Sequence, residues 1–190
     1  MQNQNKKLIL ASGSPRRREL LSRMGYTFDI CTPDVDEHVA GHASDIVRTL
    51  AVRKGRAAAE QFTEGVIIAS DTLVSLDGAP LGKPENEADA FRMLRALSGR
   101  EHEVYTGVCM IDAANGREEV RVDRTGVWFR ELNDDEINAY IQTGEPMDKA
   151  GAYAIQGGAG AFVERFNGSF ENVVGFPVEV VADMLKLFDV

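Results

Sequence analysis

Apolar positions along the chain follow two alternating periods. Leu8-Ile9-Leu10-Ala11 is a continuous apolar run, as expected of a short strand buried on both faces. After Ser12-Gly13-Ser14-Pro15 the spacing turns helical. Leu20, Leu21 and Met24 predict a helix over about 15–24 that stops at Gly25. Tyr26–Ile30 alternates like a strand. Ser44 suits the N-cap of a helix reaching about Phe62, with Val47, Leu50, Ala57 and Ala58 on its inner stripe. Val66–Ala69 predicts a buried strand. Leu73–Leu76 continues it or pairs with it, and Asp77-Gly78 is a turn. A helix over 86–97 carries Ala90, Phe91, Leu94 and Leu97 inward. Strands at about 102–111 and 118–130 meet at Asn115-Gly116. Asn133 with Glu136 forms the pattern of a capping box for a helix over 134–142. A strand near 160–166 and a helix near 177–188 finish the chain. Helices alternate with strands, but hairpins intervene. That predicts an α/β fold with a mixed, twisted sheet and flanking helices, and 190 residues suit one domain, 1–190.

Charge narrows the partners. Lys plus Arg is 21 and Asp plus Glu is 30, giving a net charge of −9. A protein that coats a nucleic-acid backbone needs the opposite sign over its surface, so no nucleic-acid partner is expected. A small phosphorylated ligand needs only a local basic patch. The two cysteines form no CxxC pair, which fits a reducing compartment and neither a disulfide scaffold nor a structural zinc site. No apolar run approaches the ~20 residues of a membrane span, and the polar start with its short run at 8–11 does not resemble a signal peptide. A cytoplasmic protein with no membrane partner is expected.

Five places carry candidate chemistry. Ser12-Gly13-Ser14-Pro15-Arg16-Arg17-Arg18 leaves a strand and opens a helix, with Ser14 placed to cap and Pro15 at the first helical position. Cations in a first helical turn are disfavoured by ~0.3–1 kcal/mol each. A phosphate ligand reverses that sign, because helix N–H groups and guanidinium forks both suit anions. The alternative is that the arginines fan into solvent. Lys54 falls on the inner stripe of its helix, so it snorkels out or meets an anion. Asp71, in Ser70-Asp71-Thr72 between two apolar runs, is placed to bind Mg²⁺ or deprotonate water, unless a backbone turn satisfies it. Asp36 and Glu37 are oxygen ligands for a cation or part of a solvated loop. Lys83, in Gly82-Lys83-Pro84, is a further phosphate candidate. His102 lies at a helix-to-strand turn and is read as structural.

The motifs in order resemble the Maf (septum-formation inhibitor) family: Leu10–Arg17 with Glu19-Leu20-Leu21, Asp36-Glu37, Ala69–Thr72, Gly82-Lys83-Pro84, Leu97–Arg100 with His102, Thr106-Gly107, Asp148–Gly157 and Asn172–Pro177. The resemblance covers about residues 7–188. It implies an elongated, two-lobed α/β fold with a central cleft, similar to the inosine triphosphate pyrophosphatases. It also implies a homodimer and cleavage of nucleoside triphosphates to monophosphate and diphosphate with Mg²⁺ or Mn²⁺. Asp71 would then accept the proton from water, with Glu37 assisting, and these two would hold the metal. Ser12, Ser14, Arg16, Arg17, Lys54, Thr72, Lys83 and Gln156 would bind substrate, with Arg16, Thr72 and Gln156 at positions linked to base choice. The Lys149–Gly157 stretch looks like the dTTP/UTP branch, and an amide such as Gln156 suits a pyrimidine edge. Gly55 and Phe176 depart from the family's usual Ala and Leu. The family's name also raises an alternative: a nucleotide-binding inhibitor of septum formation with little catalysis.

Overall fold

The computed structural model describes residues 6–190; Met1–Asn5, part of the polar start of the chain, lie outside them. The first apolar run forms β1 (Leu8–Ala11), buried along its length. Parallel to it lie β2 (Phe28–Cys31) on one side and β3 (Val66–Leu76) on the other. β4 (Ala79–Leu81) folds back on the far end of β3 after the Asp77–Gly78 turn. β5 (Glu101–Asp112), β6 (Glu118–Phe129) and β7 (Val163–Asn167) follow antiparallel, giving the order β2-β1-β3-β5-β6-β7 with β4 off β3. The sheet is mixed, as the pattern predicts.

β3 is one strand. Its polar triplet does not break it, because Ser70, Asp71 and Thr72 stay in register with Val108, Gly107 and Thr106 of β5. On its other edge β1 pairs only through Ile68, and β4 only from Val74. Between Ala69 and Leu73 that edge is therefore left unpaired by both strands, and a gap opens in the sheet.

Strand side chains alternate between faces. Leu8, Leu10, Val66, Ile68, Val108 and Met110 pack on α1 (Pro15–Arg23) and α6 (Val178–Leu187). Ile9, Ala11, Ile67, Ala69, Cys109 and Ile111 pack on the opposite face, against α2 (Ala43–Ala59). Farther along the first face, Val74, Leu76, Val104, Val127 and Phe129 meet α3 (Glu87–Leu97) and α4 (Asp134–Gln142). Each fully buried Leu, Ile or Phe contributes about 1.5–3 kcal/mol. α2 crosses β5 so closely that a Cβ at Gly107 would fall 2.4 Å from the Val47 carbonyl oxygen, which only glycine permits. A Cβ at Gly55 would fall 3.1 Å from Cys109 Sγ, so the departure from alanine there makes room for the sulfur. Phe176 is wholly buried against α1 and α6.

Three local expectations change. α2 is capped by His42, not Ser44: the His42 ring accepts from the Ser44 amide at 3.2 Å and stands edge-on to Tyr105. α2 also ends at Ala59, short of Phe62. Between Gly144 and β7 the chain makes 3-10 turns at Glu145–Asp148, Ala150–Ala152 and Gly158–Phe162, so the strand predicted from 160 begins at Val163. The five-residue helix α5 (Phe170–Val174) was not foreseen, being too short to show a period. The capping box at Asn133 and Glu136 forms as predicted.

Candidate active site

A cleft of about 850 Å³ lies at the gap in the sheet. Because one edge of β3 is unpaired there, its alternating side chains open into one space from both faces. Asp71 points toward α2, whereas Thr72 and the Ser70 carbonyl meet α1.

The loop after β1 leads straight into α1. Ser14 caps that helix, its Oγ accepting from the Arg17 amide at 3.5 Å. The three consecutive arginines separate. Arg18 is exposed and Arg16 lines the cleft. Arg17 turns inward: Nε donates to the Gly175 carbonyl at 2.9 Å, Nη1 to the Ser70 carbonyl at 2.8 Å and to Ser12 Oγ at 3.3 Å, and Nη2 to Thr72 Oγ1 at 3.1 Å. Four of its five donor positions thus have protein acceptors. Desolvation pulls this guanidinium below its ordinary pKa, with the charge of Asp71 opposing the fall. Arg17 ties the start of α1 to the free edge of β3 and to the end of α5.

Across the gap, α2 delivers Lys54. Its Nζ lies 2.6 Å from Asp71 Oδ1 and 2.8 Å from Glu37 Oε1. Lys54 and Asp71 side chains are each only 15% exposed, so the inner-stripe lysine meets anions and does not snorkel. The Lys54 hydrogen bond holds Glu37 below the usual carboxylate range. Asp36 turns away, to His38 Nδ1 at 2.8 Å. Lys83 stands exposed at the rim, and its charge also favours ionised Glu37. Thr72 Oγ1 is hydrogen-bonded to Thr106 Oγ1 at 3.0 Å.

Glu37 and Asp71 converge on one point, the Lys54 ammonium. Two carboxylates suit Mg²⁺ or Mn²⁺ when phosphate oxygens and waters complete the shell. Among the described residues no cluster of three or more His, Cys, Asp or Glu is placed to hold a metal by itself. The donor set therefore fits a cation shared with a phosphorylated ligand.

The other part of the cleft is largely apolar, lined by Val74, Val104, Tyr153, Ala154 and Val173. Its wall comes from the stretch Asp148–Ala154, through Lys149, Ala150, Tyr153 and Ala154. Gly151 sits at φ +68, and a Cβ there would fall 2.9 Å from Val74 Cγ2; its amide donates to the Gly82 carbonyl at 3.0 Å. Lys149 also lines the cleft, paired with Asp148.

Ser14, Arg16, Arg17, Glu37, Lys54, Asp71, Thr72 and Lys83 are thus brought to one cleft. Ser12 is buried behind Arg17 and is not part of the lining. Gln156 is exposed and also lies outside the lining residues. Sequence patterns missed Lys149, Tyr153 and the Gly175 carbonyl. Lys149 stands in a glycine-rich stretch with no period to show its direction, and a carbonyl leaves no mark in the sequence.

The family model described as Maf-like protein matches residues 7–188. The chain is 46% identical over 188 residues to a dTTP/UTP pyrophosphatase of Bdellovibrio bacteriovorus, covering 95% of this chain and 98% of that one. It is 49% identical over 186 residues to a dTTP/UTP pyrophosphatase of Moorella thermoacetica, covering 97% and 96%. A dTTP/UTP pyrophosphatase of Pelotomaculum thermopropionicum is 48% identical over 185 residues, covering 96% and 97%. The chain belongs to the Maf family.

Proposed function

We propose that this member of the Maf family is a nucleoside triphosphate pyrophosphatase acting on dTTP and UTP. The observation that carries the reading is the convergence of Lys54, Asp71 and Glu37 beside the N-terminus of α1, at the charged end of a cleft whose other end is apolar. The names of the relatives supply the substrate class.

In this reading the triphosphate enters the charged end, where Arg16, Lys83 and the α1 N-terminus offset its charge. The base takes the apolar end. Asp71, oriented by Lys54, accepts a proton from the water that attacks the α-phosphorus. The bond from that phosphorus to the α,β-bridging oxygen breaks, so nucleoside monophosphate and diphosphate leave. Arg17 holds the cleft's walls in register and offers its remaining N–H to the phosphate chain. Glu37 and Asp71 would hold a divalent cation such as Mg²⁺ or Mn²⁺, which supplies charge stabilisation at the phosphoryl oxygens.

The test is a panel of canonical, modified and 7-methylated nucleoside triphosphates with Mg²⁺ or Mn²⁺, reading released diphosphate. Hydrolysis of dTTP and UTP is the expected result. Activity confined to 7-methyl-GTP, or tight binding with no product under either metal, overturns the reading. The latter would favour the regulator of septum formation. A homodimer and a cytoplasmic location belong to the same reading, and sedimentation equilibrium checks the first. Among the described residues no helix is long and apolar enough to cross a membrane.

A further inference from the structure

We propose that His102 is a positioning residue for nucleotide selection, acting through Tyr153. The proposal rests on the reading of the cleft as a nucleotide site and adds to it a residue that touches neither phosphate nor metal.

His102 stands on β5 and is 1% exposed. Its Nε2 and the Tyr153 hydroxyl are hydrogen-bonded at 2.6 Å. Its ring meets Phe129 edge-on at 4.9 Å and Tyr153 at 5.3 Å. Its Nδ1 has no hydrogen-bond partner among the described residues. A buried polar atom left unpaired is costly, and an apolar side chain of similar size would fill this space without that cost. The link to Tyr153 is what a histidine supplies there and a leucine would not. Burial also keeps the ring neutral at physiological pH, so one nitrogen is a donor and the other an acceptor.

Tyr153 belongs to the apolar wall of the cleft, where the base is read to lie. Just before it, Ala152 holds φ +62, a conformation that residues with a Cβ rarely adopt. Such a conformation persists only where its surroundings over-determine it. Here it is fixed on both sides: the Gly151 amide is bound to the Gly82 carbonyl, and Tyr153 is bound to His102. One residue further, the Ala154 amide donates to Tyr140 Oη at 3.1 Å. Three hydrogen bonds, to the loop after β4, to β5 and to α4, therefore pin three residues in a segment with little regular structure. His102 supplies the one that acts on a side chain lining the cleft.

The test compares His102→Leu, His102→Gln and Tyr153→Phe by steady-state kinetics with dTTP and dGTP, by thermal melting, and by hydrogen exchange of the 149–157 amides. Loss of the link should raise KM for dTTP about tenfold in His102→Leu, with the loss falling on KM more than on kcat, and should narrow the preference for dTTP over dGTP. His102→Gln, whose amide can donate or accept near the Nε2 position, should recover most of both. Combining His102→Leu with Tyr153→Phe should add little to the single change. Wild-type KM and base preference in His102→Leu, with only a lower melting temperature, overturn the proposal. If the wild-type protein hydrolyses none of the triphosphates, the proposed function fails instead. Exchange at 149–157 then still decides the pinning: faster exchange in His102→Leu supports it, and unchanged exchange rejects it.

Discussion

The two ends of the cleft are held by different forces. At the charged end, Lys54, Asp71, Glu37 and Arg17 are fixed by ion pairs and charge-assisted hydrogen bonds, on or against regular elements. At the apolar end, the Lys149–Ala154 wall is fixed by close packing of Gly151 on Val74 and by neutral hydrogen bonds to His102 and Tyr140. Ionic contacts tolerate movement and are screened by salt; packing and neutral hydrogen bonds fix distance and are not screened. A site that must neutralise a flexible polyanion at one end and measure a flat ring at the other benefits from both.

Four changes break or sharpen this contrast. The largest effect belongs to Asp71→Asn, which keeps the shape and removes the proton acceptor. Turnover should fall ~10²–10⁴-fold with the melting temperature nearly intact; full activity would place the base elsewhere. Next is Arg17→Met. It strips the Ser70 and Gly175 carbonyls of a charged donor and should lower stability by about 3 kcal/mol in urea titration, with a matching loss of kcat/KM. Stability unchanged would mean that Arg17 serves the substrate alone. Gly151→Ala attacks the other end through sterics and a left-handed φ, and should cost about 2 kcal/mol. Differential scanning calorimetry measures it, and KM should rise while kcat holds if the wall serves the base.

The smallest effect is a slope with pH. Burial pulls His102 down to about 3 from 6.5, so between those values the unfolded chain binds the extra proton. Its contribution to stability is intact above pH 6.5 and erodes as pH falls, by about 1.4 kcal/mol per pH unit. His102→Gln should flatten that part of the curve in urea titrations at pH 7 and pH 5. An unchanged slope would mean the ring is not kept neutral by burial.

Much of the charged end was legible in the sequence. Pro15 after a capping serine marked the start of α1, and three arginines there asked for an anion. The helical stripe placed Lys54 inward, and an aspartate between two apolar runs called for a partner. Which arginine turns inward was not legible, because neighbouring helical positions differ by 100° and the acceptors that decide it, the Gly175 and Ser70 carbonyls and Thr72, come from distant parts of the chain. The apolar end was nearly illegible. Its 3-10 turns have no hydrophobic period, and the place of His102 at a helix-to-strand turn gave no sign of Tyr153, 51 residues away.

Composition and pattern by themselves determined the mixed α/β fold, the acidic character that argues against a polynucleotide partner, and the list of charged residues on offer. Those follow from local periodicity and from summed charge. Only the tertiary structure decided that β1 and β4 leave β3 uncovered between Ala69 and Leu73, so that one strand presents Asp71 and Thr72 from opposite faces to a single cleft. Pairing edges, close glycine contacts and buried hydrogen bonds join residues far apart in the chain. They are set by the balance of packing across the whole sheet, which no local window of sequence contains.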